Sequence, residues 1–455
     1  MLPAMSTAVI PLPRAPRLPL VGSVGHYVRD PLRFLETVAG MGPVVEMDFV
    51  RYRAWLINDP ALIEQVFIRS AGVMQKDVFL RALKKLLGEG LLTSEGDFWK
   101  RQRRLVQPAF HRERIAGYGD VMVRCTAAML DGWRDGQTFE LHHAMMALTA
   151  DIVTRALFGA DAGDTHDLAA CIDAVVTRFA DPKFLLVPAL EHVPLPSNKR
   201  LREVSVRLDG IVRGFITRRR ALGADAPQDD LLAMLLAAQD DDGARMSDQQ
   251  VRDEVLILFL AGHETTALAL SWTFHLLAQH PEVERTLARE LSEVLGDREP
   301  TVADLPNLKF TERVVLETLR LYPPAWSLGR EATEPFTLEG RDFPQGAWFW
   351  VLPWTLHRDP RTFSDPLTFN PARWEDGLAK KLPKGAYVPF GIGPRVCIGN
   401  QFAMMEATLL LATIARRFSL RACATPKIEP EPSITLRFKK GIRMTAVARR
   451  PLSPA

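Results

Sequence analysis

The sequence predicts a mainly α-helical protein with small β-sheets, an α+β chain built as a single domain. Three observations carry this. From about Pro60 to Leu321 the apolar pattern is helical, broken by turn clusters such as "GADAGDTHD" and "DDDGARMS". Strand signals are confined to short stretches early and late in the chain. No repeat, low-complexity tract or long linker divides the 455 residues, and a hydrophobic fraction of 47% with 24% charged residues supplies a large globular core.

The elements follow in chain order. Residues 1–20 form a Pro-rich arm, with Pro11, Pro13, Pro16 and Pro19 interrupting any apolar run that a signal peptide would need. A polyproline-like segment lying over the surface is the expectation. "VVEMDFV" and "RAWLIND" read as a hairpin around Val44 to Asp59. "GDFWKRQRRLV" reads as a helix with Trp99 and Arg103 four apart, able to offer an indole N–H and a guanidinium to one anion. An ordinary basic helix surface is the plainer reading, and Lys100 and Arg101 belong to it. Ser247 with Gln250 forms a possible capping box at the start of a long apolar helix. "FTLEGRDFPQGAWFWVLP" reads as short strands with a turn at Gly340, and a last helix runs from about Gln401 to Arg417.

Composition excludes several classes. A net charge of +3 is small for this length and leaves no electrostatic footprint for nucleic acid. Cysteines 125, 171, 397 and 423 form no CxxC or zinc-finger spacing, which suits a reducing cytoplasm. No stretch reaches the ~20 uncharged apolar residues of a membrane span, so a soluble protein without a membrane anchor is expected.

Three further stretches carry chemistry. "FGIGPRVCIGN" crowds three glycines and a proline around Cys397, just ahead of a helix N-terminus that favours a thiolate. A thiolate so placed can ligate haem iron. Gly393 and Gly399 would then let the backbone pass close to a flat macrocycle, and Phe390 would shield the sulfur. A Gly-rich bulge with an incidental cysteine is the competing reading. In "LETLRLYPP", Glu317 and Arg320 share a helix face among apolar neighbours, which favours a buried pair with a third partner, Arg373 in "NPARW". In "FLAGHETTALALSW", Glu264 and Thr265 break an apolar helix with a carboxylate and a hydroxyl, the parts of a proton relay. Gly262 beside them would leave room for a small ligand. A polar face facing solvent is the alternative. "HETTA" begins like the zinc motif HExxH, but Ala267 stands where the second histidine must be.

Taken together, Phe390-x-x-Gly393-x-Arg395-x-Cys397-x-Gly399, Glu317-x-x-Arg320, Pro371-Ala372-Arg373-Trp374, Ala261 to Thr266, and Trp99-x-x-x-Arg103 resemble, in order and spacing, the motifs of the cytochrome P450 family. The resemblance runs from about Pro13 to Arg449. It implies a triangular single domain over residues 1–455, with haem b between the central long helix and the helix after the cysteine loop. It also implies that Cys397 is the axial metal ligand, that Trp99, Arg103, Arg330 and Arg395 hold the propionates, with Ala261, Phe390 and Gly399 also against the haem. Glu317, Arg320 and Arg373 become a structural triad. Glu264 and Thr265 become the proton-delivery pair of a monooxygenase that inserts one atom of O2 into a C–H or C=C bond.

The same resemblance implies a cytoplasmic monomer receiving electrons from NAD(P)H through a ferredoxin and a ferredoxin reductase. Lys100, Arg101 and Arg104 are docking candidates for such an acidic partner. The acid–alcohol pair argues against a peroxide-using relative, and a non-catalytic haem–thiolate sensor is the reading from another class. The implied substrate pocket takes in Phe79, Leu258, Ala261, Ala325, Trp326 and Ile434, with Val78, Phe179, Phe184, Leu185, Thr265 and Leu328 beside them. That lining suits a hydrophobic small molecule, a terpenoid or related lipid first, with fatty acid and then steroid or polyketide as alternatives. Arg178 or Lys183 would be the clamp for a carboxylate.

Overall fold

The computed structural model describes residues 11–50, 52–159, 193–223, 230–240, 242–423 and 428–449, with scattered positions between 167 and 178. Helices dominate and the sheets are small. The chain groups into two compact units, one formed by residues 1–78, 325–368 and 377–397, the other by 79–324, 369–376 and 398–455.

The first unit is organised by strands β1 (Val44–Phe49), β2 (Tyr52–Ile57), β3 (Met74–Gln75), β4 (Leu328–Ala332), β5 (Phe336–Leu338), β6 (Arg341–Phe343) and β7 (Trp348–Val351). Five of them form one sheet in the order β1-β2-β7-β4-β3, antiparallel except for the β2–β7 pair. All four residues of β7 are buried, as expected for a central strand covered on both faces. Phe343 and Phe349 pack edge-on at 5.1 Å, and Trp55 meets Phe343 in the same way at 5.2 Å; such pairs add to burial. The turn expected at Gly340 joins β5 to β6, with Glu339 and Gly340 both at positive φ, the twist that a two-residue hairpin turn favours. The Pro-rich arm does more than lie over the surface. The amide of Ala15 donates to the Glu46 carbonyl and that of Glu46 to the Pro13 carbonyl, so the arm pairs with β1.

The second unit is built on helices α1 (Gly96–Val106), α2 (Arg112–Asp131), α3 (Leu141–Phe158), α4 (Asp248–Gln279), α5 (Pro281–Leu295), α6 (Lys309–Leu321) and α7 (Asn400–Arg417). Strands β8 (Phe418–Ala422), β9 (Pro430–Pro432), β10 (Leu436–Phe438) and β11 (Arg443–Ala448) follow; β9 and β10 form a hairpin, and β11 lies between β8 and Thr138–Glu140. The capping box closes as the sequence predicts, the Gln250 amide donating to Ser247 Oγ and the Ser247 amide to Gln250 Oε1. α4 packs against α3, α6 and α7. By length and composition it could cross a membrane, but 83% of its most apolar window is buried inside the protein, which marks a core helix.

Two buried polar knots fasten this unit. Glu317 and Arg320 are fully buried on α6. Arg320 forks onto the Glu317 carboxylate through Nε and Nη2, each at 2.9 Å. Arg373 Nε, Trp374 Nε1 and the Asn370 amide complete the shell at 2.9 Å. The expected third partner is present, and Trp374 and Asn370 join it. At the α4–α7 contact, Thr266 Oγ1 donates to Glu406 Oε2 at 3.0 Å. Burial pushes the Glu406 carboxyl up to about 8.

Glu317→Gln leaves two buried guanidinium groups without their carboxylate, and a loss of about 3–5 kcal/mol is expected from such a break. Denaturant unfolding of the holoenzyme reads it; a loss below about 1 kcal/mol would show that the knot is dispensable. Glu406 has the opposite signature. Folded, it keeps its proton to about pH 8, while its ordinary value is 4.5. It therefore lowers stability progressively as pH rises through that window, and not below it. Glu406→Gln, neutral throughout, should unfold at a higher midpoint than the parent at weakly alkaline pH, with the gap closing in acid. A gap that ignores pH would mean that Glu406 does not titrate in the folded protein.

Candidate active site

In the first unit, the cysteine loop is held by its own backbone. The amide of Cys397 donates to the Phe390 carbonyl at 2.9 Å, and that of Val396 to the Gly393 carbonyl at 3.0 Å. Gly393 has φ +75°, and any Cβ there would run into the carbonyl oxygen of Phe67. The close approach of Phe67 is therefore one demand for glycine at this position that the protein's own chain makes. Gly399, at the start of α7 in the second unit, is different: a Cβ there would meet only the Phe110 ring at 3.6 Å, an ordinary contact.

Phe67 also serves a second candidate. The Arg330 guanidinium on β4 lies 4.8 Å from the centroid of the Phe67 ring, a cation–π distance. One phenylalanine thereby joins Arg330 to the cysteine loop. Phe390 and Arg395 are half-buried, and Cys397 itself is exposed. The other thiols contrast with it. Burial, with Asp151 beside it, pushes Cys125 up to about 12, and burial also raises Cys171. Of the pocket candidates here, Ala325 is half-buried, while Trp326 is buried against Trp350 at 6.3 Å.

In the second unit, α1 brings Trp99 and Arg103 together as their spacing predicts, the guanidinium 5.9 Å from the indole centroid. Arg101 departs from expectation. Its Nε bonds Asp240 Oδ2 at 2.6 Å, and the ion pair holds the Asp240 carboxyl below its usual value. It braces α1 against the loop that precedes α4, which leaves Lys100 and Arg104 as exposed cations of this face.

The polar centre of α4 divides among several partners. Leu258, Ala261 and Thr265 recur at helical spacing on one face, and Ala261 is exposed although residues 251–260 before it are all buried. Thr265 Oγ1 donates back to the Ala261 carbonyl at 2.6 Å. Glu264, only 2% exposed, turns elsewhere: its Oε1 accepts from Arg437 Nε at 2.6 Å and from Thr435 Oγ1 at 2.8 Å. The acid and the alcohol are neighbours in the chain, but the structure engages them separately. A Cβ at Gly262 would approach Val153 of α3 to 3.2 Å, so this glycine also admits a neighbouring helix closely. His263 is buried and its Nε2 lies 3.1 Å from the Met146 carbonyl. Among the described residues no group of three or more His, Cys, Asp and Glu could hold a metal ion.

Phe79 lies on the short helix Val78–Ala82 and Ile434 at the tip of the β9–β10 hairpin, both half-buried. Arg178 bonds Asn198 Oδ1 through Nη2 at 2.8 Å. Phe179, Lys183, Phe184 and Leu185 lie outside the described residues. Sequence reasoning missed Phe67, Thr435, Arg437 and Glu406. Each acts across a long sequence separation, and only the acidic residue in the otherwise apolar run "AMMEATLLL" carries a local signal.

Comparison with known proteins identifies the family. The sequence profile described as Cytochrome P450 matches residues 12–445, through both units. The chain is 40% identical over 426 residues to Cyclooctatin synthase of Streptomyces melanosporofaciens, with 92% of each chain covered. It is 37% identical to Cyclooctat-9-en-7-ol 5-monooxygenase of the same organism, covering 92% of this chain and 90% of the relative. Pentalenene oxygenase of Streptomyces avermitilis is 32% identical, with 95% and 96% covered. The chain belongs to the cytochrome P450 family, and with it comes a monooxygenase that works through a thiolate-ligated haem.

Proposed function

We propose that this monooxygenase hydroxylates or epoxidises a cyclic terpenoid, with Cys397 as the thiolate that holds the haem iron. The observation that carries the reading is the exposed Ala261 with the half-buried Thr265 one turn on, within a stretch of α4, residues 251–277, that is otherwise buried save Gly262. It offers a small side chain and one hydroxyl where a reacting molecule needs both room and a proton donor. The residues fit the cofactor. Cys125 and Cys171 are held as thiols by burial, whereas Cys397 is exposed in a closed loop. A Cβ at Gly399 would make only an ordinary contact with the Phe110 ring among the described residues, and Trp99 with Arg103, Arg330 and Arg395 supply the polar groups suited to two propionates.

When bound, the haem supplies O2 activation for oxygen insertion. The chain's own residues do the rest. Thr265 Oγ1, anchored on the Ala261 carbonyl, presents a hydroxyl that can pass protons. Leu258 and Ala261 on the same face keep its surroundings apolar, and Ile434 and Phe79 add lining. Apolar walls and few fixed charges suit a hydrocarbon or a monoalcohol. The relatives' names, pentalenene and cyclooctat-9-en-7-ol, belong to that chemistry. Fatty acids and steroids rank behind it.

A family of this kind draws its electrons from redox partners, and we assign that role to a ferredoxin and its reductase, drawing on NAD(P)H. Lys100 and Arg104 are the docking cations, in a cytoplasmic monomer. One profile running through both units supports reading residues 1–455 as one catalytic domain.

Thr265→Ala should keep the ligand-induced spectral shift but lower product per NAD(P)H consumed by at least about tenfold, with hydrogen peroxide taking the difference. Unchanged coupling would remove Thr265 from proton delivery. For the substrate, ferric enzyme titrated with cyclic di- and sesquiterpenoids, fatty acids and steroids should show a saturable low-to-high-spin Soret shift with the terpenoids alone. A shift with fatty acids only would replace the terpenoid reading.

A further inference from the structure

α4 carries two consecutive acids, Asp253 and Glu254, that reach across to the backbone of a neighbouring loop, residues 88–94. Both are buried, at 5% and 0% exposure. The Glu89 amide donates to Asp253 Oδ2 at 2.8 Å, and the Leu91 amide to Glu254 Oε2 at 3.0 Å. The loop is closed on itself: Thr93 Oγ1 donates to the Gly88 carbonyl at 2.6 Å and Ser94 Oγ to the Gly90 carbonyl at 2.7 Å. Its contact with α4 admits no side chain. A Cβ at Gly88, where φ is +76°, would fall 2.1 Å from the Asp253 carboxylate, and one at Gly90 would fall 2.8 Å from Ile257 Cδ1 and 3.0 Å from Glu254 Oε2. Through its other oxygen Asp253 accepts from Gln249 Nε2 at 2.8 Å and from Arg252 Nη1 at 3.0 Å, which keeps it aimed at the loop.

The contact stands next to the face of α4 that bears the pocket candidates. Glu254, Leu258, Ala261 and Thr265 follow one another at spacings of four, three and four residues, so the acid shares their side of the helix. Backbone bonding also runs from the loop towards Phe79. The amides of Gly88 and Leu87 donate to the carbonyls of Lys84 and Leu83, and that of Leu83 to Leu80. Between them the short helix Lys84–Leu87 packs on α4, with Leu83 and Leu87 buried. We propose that Asp253 and Glu254 limit the bulk of the substrate: by drawing residues 88–94 onto α4 they fix the segment bearing Phe79 relative to Leu258 and Ala261. They are positioning residues, since they touch backbone and not the reacting molecule. The inference rests on the function proposed above, for Phe79, Leu258 and Ala261 as pocket lining. A guest too large for the pocket must displace the loop, which strips two buried carboxylates of their backbone donors and two amides of their acceptors; such unmet groups are costly. A guest that leaves the loop in place incurs none of this cost.

The test titrates the holoenzyme with imidazole, phenylimidazole and naphthylimidazole, whose ring nitrogen coordinates the haem iron and shifts the Soret band. Glu254→Met removes the acceptor at similar volume. It should tighten naphthylimidazole by about tenfold while leaving imidazole within about twofold, with phenylimidazole between them. Glu254→Gln, whose amide oxygen can still accept from Leu91, should bind all three as the parent does. Gly90→Ala presses on the same contact from the loop side and should reproduce the effect of Glu254→Met. The two variants disturb the contact independently, so if one fails to fold the other carries the measurement. A merely structural role would lower holoenzyme content or weaken the three ligands together, without changing their ratio. An unchanged naphthylimidazole-to-imidazole ratio in either folded variant, or a Glu254→Gln protein that matches Glu254→Met, overturns the proposal. Failure of the terpenoid reading looks different: the parent shows no Soret shift with terpenoids, while the imidazoles, which need no knowledge of the substrate, still report on the contact.

Discussion

Burial of the central helix α4 sets the terms for the second unit. A helix of 32 residues, enclosed on most sides, forces each polar side chain along it to find a partner inside the protein, because an unmet polar group in such surroundings costs several kcal/mol. His263 answers with the Met146 carbonyl, Glu264 with Arg437 and Thr435, and Thr266 with Glu406. These partners come from three different elements. Satisfying them therefore fixes where α3, α7 and the β9–β10 hairpin sit around the helix. Between residues 251 and 277 this enclosure opens at Ala261, which is exposed, and at Gly262 and Thr265, which are half-buried.

The first unit solves a related problem with backbone instead of side chains. Its cysteine loop must hold an exposed thiol in a defined place without a helix or strand to carry it. Hydrogen bonds from Cys397 to Phe390 and from Val396 to Gly393 supply the frame. The close approach of Phe67 to Gly393 then presses the frame against a buried core residue. Because the ring of the same Phe67 lies under Arg330, the loop and the arginine share one foundation.

Local features were readable from the sequence wherever the physics is local. The capping box of α4, the Gly340 turn, the i, i+3 contact of Glu317 with Arg320 and the i, i+4 contact of Trp99 with Arg103 are all set by neighbours within a few residues. The motif cysteine and its glycines were legible for the same reason, but the approach of Phe67 to Gly393 was not: a sequence shows that a backbone is special, not everything that stands against it. The fastening of Glu264 was invisible. Arg437 lies 173 positions away in a short strand whose alternation looks like any other, and only the folded chain brings it to α4. Arg101 was misread in a similar way, since nothing local announces Asp240 as its partner.

The pairing of the Pro-rich arm with β1 has a consequence for the integrity of the sheet. β1 is an outer strand of the five-stranded sheet, and outer strands present open hydrogen-bonding groups that invite pairing with another chain. Pro13 and Ala15 occupy the Glu46 amide and carbonyl, and the prolines on either side have no amide to offer a further strand. The arm thus acts as an edge guard: it covers part of the exposed rim of the sheet and cannot itself nucleate the next strand, which protects the protein from sheet-to-sheet aggregation at the end of the molecule where the chain enters it.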